Sequence, residues 1–165
     1  MNAEWTLIDW AEHNARENLE ARLAAIDHLA SQANSLLHLL LVGIGGALAY
    51  GVKVFDTGPT GPLVWGSAAL CAWLAWIAVV LMINCITTQE QPVAYNSGKN
   101  LYQPELLTQY SPDQLRAFEL ENIDRRIDSA KQLNGRIAGW LDRCRYATVA
   151  SPLVFSVAAA LVLVD

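Results

Sequence analysis

Two polar side chains lie inside long apolar stretches of the sequence and are the first candidates for chemistry. His38 interrupts a run of leucines, and Asn84 lies near the end of a second apolar stretch. Polar residues in such positions of membrane proteins line ion paths or carry protons. The alternative is an interhelical hydrogen bond that only holds two helices together, and the sequence leaves both alternatives open.

Patterns of catalytic or metal-binding residues are otherwise scarce. Arg22 and His28 have an Arg-x5-His spacing that resembles that of the helical RNases called HEPN, but Leu23 replaces the polar residue that usually follows the arginine there. The three cysteines form no Cys-x-x-Cys pair, and no glycine-rich phosphate loop is present. We therefore expect no enzyme, no catalytic residue, no bound metal and no cofactor. The net charge of −5 gives no support to nucleic-acid binding.

The charged residues are grouped in blocks along the chain. They make up 16% of the 165 residues, yet residues 29–52, 57–89 and 146–164 contain none of them. Surface helices of soluble proteins mix charged and apolar positions, so this pattern excludes an ordinary soluble domain. A bilayer core of about 30 Å requires roughly 20 apolar residues of helix. The sequence therefore predicts an all-α integral membrane protein with three transmembrane helices and long cytoplasmic helical extensions.

The predicted segments follow from these blocks and from helix-breaking residues. They are a cytoplasmic amphipathic helix at 1–33, a transmembrane hairpin at 34–87 with spans 34–54 and 63–87, a cytoplasmic connector at 88–110, a cytoplasmic helix at 111–145 and a third transmembrane helix at 146–165. Ser111 to Gln114 form a capping box with proline at the first helical position. Because the last stretch is short and contains Pro152, a buried core helix at 147–164 remains the alternative to a span.

Basic residues predict the orientation. Ten of the eleven Lys and Arg residues lie before the first span or between the second and the third. The positive-inside rule then predicts a multi-pass inner-membrane protein with a cytoplasmic N-terminus and a periplasmic C-terminus. Trp73 and Trp76 lie too deep for an interfacial belt, so we expect them to pack against another helix.

Two kinds of packing signal occur. Small residues recur every four positions in the first two spans and predict close helix contacts, within the hairpin or between subunits. They are Gly43, Ala47, Gly51, Ser67, Cys71 and Ala75. A cytoplasmic seam in the last charged segment contains Ile123, Ile127, Asn134, Ile137 and Leu141. Asn134 is expected either to pair with another asparagine and fix the register or to face solvent at the edge of the seam.

The two cytoplasmic helices carry opposite charge. Residues 1–28 contain six acidic and two basic side chains, whereas residues 125–145 contain six basic and two acidic ones. We expect both helices to run toward the membrane as parallel rods that attract each other. The alternative is that the basic run contacts anionic lipid headgroups.

The layout of a cytoplasmic helix, a two-span hairpin and further cytoplasmic helix resembles the small SLATT-type membrane effectors of bacterial antiviral defence. The resemblance implies a homo-oligomeric inner-membrane protein that forms or gates a pore and permeabilises the membrane. The alternative function is a non-conducting scaffold that recruits or stabilises a larger complex through its cytoplasmic helices. The expected partners are the lipid bilayer, further copies of the chain and a cytoplasmic protein.

Overall fold

A computed structural model describes residues 6–56, 61–87 and 109–164 of the chain. These residues form four helices. Helix α1 comprises Leu7–Phe55, α2 comprises Pro62–Leu81 and continues as a π-helical turn over Met82–Ile86, α3 comprises Pro112–Val149 and α4 comprises Ser151–Val164. The prediction of an all-α chain is confirmed. The connector predicted at 88–110 lies outside the described residues except for its last two positions, as do residues 57–60 of the hairpin turn.

Helix α1 is continuous because its sequence contains no proline and because one of its faces is apolar throughout. The buried residues on that face are spaced by seven and are Leu19, Ile26, Ala33, Leu40 and Ala47. Along α3 and the start of α4 the same spacing joins Ile123, Ala130, Ile137, Cys144 and Ser151. A seven-residue repeat is the packing pattern of left-handed coiled coils. Helix α1 thus runs from the charged N-terminal segment into the first apolar stretch without a break.

The chain divides into two units, and in the first of them α1 and α3 run parallel. Unit 1 comprises Met1–His28 and Gln89–Arg136. Arg116, in the first turns of α3, hydrogen-bonds to Glu12, and Asn134, further along α3, bonds to the main chain of Arg22. The start of α3 is fixed by the predicted capping box, since Ser111 and Gln114 exchange two hydrogen bonds of 2.9 and 3.3 Å.

Unit 2 comprises Leu29–Thr88 and Ile137–Asp165, and its central element is α2. Helix α2 runs antiparallel to α3 and α4, because Cys85 near its end contacts the Ile137 carbonyl and Trp73 near its middle contacts Ala147. The side chains of Leu40, Leu81 and Leu141 are almost completely buried in this unit.

Two helices, Leu7–Phe55 and Pro62–Ile86, are long and apolar enough to cross a membrane. A third span exists only if Pro112–Val149 and Ser151–Leu163, which meet at a bend of 43°, are counted as one. The third apolar helix was predicted to begin at residue 146, but α3 continues to Val149. Pro152 explains the break, because it lacks an N–H and its ring clashes with a preceding carbonyl. The 14 residues of α4 extend about 21 Å, which is less than a bilayer core.

Candidate functional site

Glycines on α1 allow α2 to approach closely. A methyl group at Gly43 would lie 3.1 Å from Cδ1 of Leu74, and one at Gly51 would lie 2.7 Å from Oγ of Ser67. Ala47 lies between the two glycines and is also buried. The three small residues predicted in the first span therefore lie at the contact with α2 of the same chain.

The second set of small residues is divided between two faces of α2. Ser67 is buried and its hydroxyl donates to the Val64 carbonyl at 2.9 Å. The thiol of Cys71 lies 3.8 Å from the Ile44 carbonyl of α1. Ala75, in contrast, is exposed. The hairpin contact thus uses the first two of these residues, and Ala75 is directed elsewhere.

The opposite face of α1 carries a row of mostly small and polar residues. We call this row the outward stripe, and its members, all exposed, are Ser31, Ser35, His38, Val42, Gly45, Ala49 and Lys53. At about 100° per residue the stripe lies about 180° around the helix from the buried Leu40. A methyl group added at Gly45 would meet no atom within 4 Å. The stripe is therefore open, and Val42 is its only large apolar side chain.

The structure does not bring His38 and Asn84 together. The antiparallel register of the α1–α2 contact, continued toward the end of α2, places Asn84 level with Ala33, about 7.5 Å along the axis from His38. The Asn84 side chain donates to the Val80 carbonyl of its own helix at 2.8 Å. His38 belongs to the outward stripe and is exposed. The two predicted polar candidates therefore occupy different environments.

Trp73 connects α2 to the bend between α3 and α4. Its indole N–H donates to the Ala147 carbonyl at 3.1 Å. Ala147 is one of the last four residues of α3, whose carbonyls have no helical N–H partner. Carbonyls at a helix end are commonly satisfied by side chains or water. Trp73 thus packs against another helix as expected, whereas Trp76 is 64% exposed.

The predicted cytoplasmic seam is shared between the two units. In unit 1, Ile123 and Leu19 belong to one buried cluster, and Ile127 packs against it. In unit 2, Ile137 and Leu141 are 4% and 1% exposed. The seam residues of each unit therefore face the interior of that unit.

Asn134 behaves in neither of the two expected ways within this chain. Its Nδ2 donates to the main-chain carbonyl of Arg22 at 3.0 Å, so the side chain contacts α1 rather than solvent. Its Oδ1 is buried and has no hydrogen-bond partner among the described residues. A side chain that bonds to the backbone of a parallel helix sets the register of the two helices, because a shift by one residue removes the acceptor.

Ion pairs join the starts of the two helices in unit 1. Arg116 Nε donates to Glu12 at 2.8 Å, and a second guanidinium nitrogen donates to Asp9. Thr6, the residue before α1, donates its hydroxyl and its main-chain N–H to the same aspartate. The hydrogen bonds from Thr6, followed by that from Arg116, lower the pKa of Asp9 to about 2. Arg116 lies outside the basic run at 125–145, so these ion pairs are not the attraction that was expected between that run and residues 1–28.

Comparisons with models of protein families, with curated proteins and with solved structures find no match to this chain. Within residues 6–56, 61–87 and 109–164, no group of three or more His, Cys, Asp or Glu side chains is arranged to hold a metal ion. The outward stripe is therefore the candidate site. Its signal in the sequence is a spacing of three or four positions, from Ser31 to Lys53, between residues that are small or polar except for Val42.

Proposed function

We propose that this protein is a homo-oligomeric membrane protein that forms or gates a pore, with the outward stripe of α1 facing the pore. The observation that supports the proposal is the exposure of this row of Ser, His, Gly, Ala and Lys side chains in a helix apolar enough to cross a membrane. Lipid chains offer no hydrogen bonds to imidazole or ammonium groups, although the Ser35 hydroxyl already donates to the Ser31 carbonyl at 3.0 Å. Such a face is more stable against water or against a second copy of the chain.

The contact between α1 and α2 supports the same assignment by elimination. Gly43 and Gly51 already pack within the hairpin, where a methyl group would meet α2, and Ala47 between them is buried. They are therefore occupied in each copy, which leaves the outward stripe as the small-residue surface of α1 for assembly. His38 is the member of the stripe that can bind or release a proton during conduction.

We propose that the pore lies in the inner membrane, with the N-terminus in the cytoplasm and the C-terminus in the periplasm, following the positive-inside rule. The resemblance in layout to SLATT-type effectors suggests the biological role, which is to permeabilise the membrane during antiviral defence. In that role unit 1 of each chain would receive the activating signal in the cytoplasm.

A scaffold that does not conduct is the second candidate, and exposed apolar side chains in unit 1 favour it. Leu7, Trp10 and Phe118 are 82%, 59% and 49% exposed. Large apolar side chains of this kind on a charged, water-facing segment are typical of surfaces that bind another protein. This surface is compatible with a cytoplasmic partner whether or not the chain conducts.

Two alanine-to-leucine variants test the pore proposal. Ala49→Leu adds bulk to the outward stripe, and Ala75→Leu makes the same change at an exposed position of α2 outside it. The purified proteins are compared by particle mass in detergent and by ion leakage from proteoliposomes. We expect a homo-oligomer and leakage for the wild type, a large loss of leakage for Ala49→Leu, and wild-type behaviour for Ala75→Leu.

The outcomes separate the two candidate functions. A wild-type protein that is monomeric in detergent and causes no leakage refutes the pore. A co-purifying cytoplasmic protein in the absence of leakage would instead support the scaffold. Equal leakage from wild type, Ala49→Leu and His38→Leu would show that the stripe does not face the conducting path.

A further inference from the structure

A small cavity in unit 2 lies between α2 and the end of α3. It has a volume of about 130 Å³, and its walls include Trp73, Trp76 and Val80 of α2 and Trp140, Arg143 and Ala147 of α3. We call it the tryptophan pocket. Three indole rings and a guanidinium group line this one cavity, and the proposed pore residues of α1 do not contribute to it.

Arg143 gives the tryptophan pocket a positive charge that the described residues leave uncompensated. Its guanidinium carbon lies 4.8 Å from the centre of the Trp140 ring, in a cation–π contact. The neighbouring carboxylate, Asp142, pairs with Arg145 at 3.2 Å. In residues 109–164 and the other described segments, no carboxylate oxygen lies within 4 Å of the Arg143 guanidinium. The cavity is therefore suited to an anionic ligand.

The level of Arg143 along α2 indicates the kind of anion. Trp73 is level with Ala147 and Cys85 with Ile137, because hydrogen bonds join them. Continuing this antiparallel register places Arg143 beside Ile77, about 15 Å before Thr87 along the axis. The residues of α2 from Ile77 to Thr87 carry no charge. The guanidinium therefore lies beside a part of α2 that belongs in the apolar region of a bilayer.

An arginine at such a depth extends toward the headgroups or draws a phosphate toward itself. Tryptophan favours the same boundary region, since its ring is apolar and its N–H is a donor. A cavity of about 130 Å³ is too small for a helix of a protein partner but is of the size of a headgroup phosphate. Val80, next to the charged wall, offers an apolar surface to the start of an acyl chain.

We propose that the tryptophan pocket binds the phosphate of an anionic phospholipid, with Arg143 as the cationic ligand. Trp140 holds the guanidinium group by its ring face. The inference rests on the insertion into a membrane that the proposed function includes, but it does not depend on conduction. The bound lipid would link α2 to the end of α3, next to the bend at Ala150.

Native mass spectrometry of the full-length protein in detergent tests this proposal. The protein is mixed with equal amounts of phosphatidylglycerol and phosphatidylcholine, and bound lipids are counted for wild type, Arg143→Gln and Arg125→Gln. Arg125 lies in unit 1 and bonds to Asn122, so its substitution removes the same charge outside the pocket. We expect the wild type to prefer phosphatidylglycerol, and Arg143→Gln to lower its affinity about tenfold. Arg125→Gln is expected to match the wild type.

Further variants and competitors make each outcome decisive. Arg143→Lys, which keeps the charge, is expected to restore part of the preference, and this result supports a phosphate ligand. Equal binding of phosphatidylglycerol by wild type and Arg143→Gln overturns the proposal. Equal retention of both lipids by the wild type also overturns it, as does displacement of the lipid by millimolar inorganic phosphate alone.

The result is independent of the pore assay. A wild-type protein that binds phosphatidylglycerol through Arg143 without leakage from proteoliposomes supports the tryptophan pocket and refutes the pore. Leakage from proteoliposomes together with lipid binding that does not depend on Arg143 supports the pore and refutes the tryptophan pocket as a lipid site.

Discussion

Replacing Trp73 by phenylalanine tests how the bend between α3 and α4 is stabilised. The substitution keeps an aromatic ring but removes the N–H that donates to the Ala147 carbonyl at 3.1 Å. The hydrogen bond is partly buried, so solvent compensates only in part for the lost donor. We therefore expect Trp73→Phe to lower the free energy of unfolding.

The magnitude follows from two bounds. Leaving a buried carbonyl without a donor costs about 1–3 kcal/mol. Side-chain hydrogen bonds between membrane helices contribute about 0.6 kcal/mol on average, because the unfolded state in the membrane also finds partners. We expect a loss of about 1 kcal/mol for Trp73→Phe. Trp76→Phe is the matched control, since Trp76 is 64% exposed, and it should change the free energy by less than about 0.5 kcal/mol.

A double-mutant cycle with Pro152→Ala separates the hydrogen bond from the change in ring size. Alanine at 152 restores an N–H and removes the ring clash, so the helix can continue past Ala150 and the Ser151 N–H can reach the Ala147 carbonyl. In this background Trp73→Phe should cost less, with a coupling energy of about 0.5–1 kcal/mol. Unfolding in mixed detergent, followed by circular dichroism, gives the four free energies. If the two substitutions are additive within about 0.3 kcal/mol, the indole does not compensate for the bend.

Three further substitutions test other parts of the structure. Asp9→Asn should lower the melting temperature at pH 7 and lower it much less at pH 2. A carboxylate whose pKa falls from 3.8 to about 2 on folding stabilises the fold above pH 4 and loses that effect as the pH falls through 2, so a difference at pH 2 as large as that at pH 7 would contradict this assignment. Gly51→Ala should destabilise the protein, because its Cβ would lie 2.7 Å from the hydroxyl oxygen of Ser67. Gly45→Ala meets no atom within 4 Å and should stabilise α1 by up to about 1 kcal/mol. Denaturant titration measures both variants, and equal effects would refute the assignment of Gly51 to the α2 contact and of Gly45 to the open face. Leu81→Ala should cost about 2–5 kcal/mol in the same assay because Leu81 is 0% exposed, and Val79→Ala, at a position 51% exposed, is its control.

Local chemistry made the helices predictable from the sequence. The capping box at Ser111 and Gln114 is formed as expected, because each of its side chains satisfies an N–H only a few residues away. The continuity of α1 also follows from local features, since the segment has no proline. Helix α3 ends at Val149 and not at residue 145, because its end depends on where Pro152 permits the last helical hydrogen bonds.

The faces of α1 were harder to assign, because two rows of small residues run side by side. Gly43 and Gly45 are two positions apart, and each is followed by an alanine four residues later. Residue type alone gives both rows the same ability to pack. Only the register with α2 distinguishes them, since it places Leu74 next to Gly43 and leaves Gly45 open. Asn134 is a similar case, because its acceptor is a main-chain carbonyl, which leaves no trace in the sequence.

The two faces of α1 imply that folding and assembly can be changed independently. The buried face, which includes Leu40 and Ala47 at a spacing of seven, is occupied by helices of the same chain. The outward stripe lies about 180° away and includes His38 and Gly45, which no part of the described chain covers. A bulky residue on the buried face should therefore reduce the stability of the monomer at any protein concentration. A bulky residue on the outward stripe should leave monomer stability unchanged and weaken only the association of the monomers, which depends on protein concentration. Dilution of the detergent-solubilised protein distinguishes these two effects. If a stripe variant has a melting temperature that is lower than that of the wild type and does not change on dilution, this face is part of the fold of the monomer and not of the assembly.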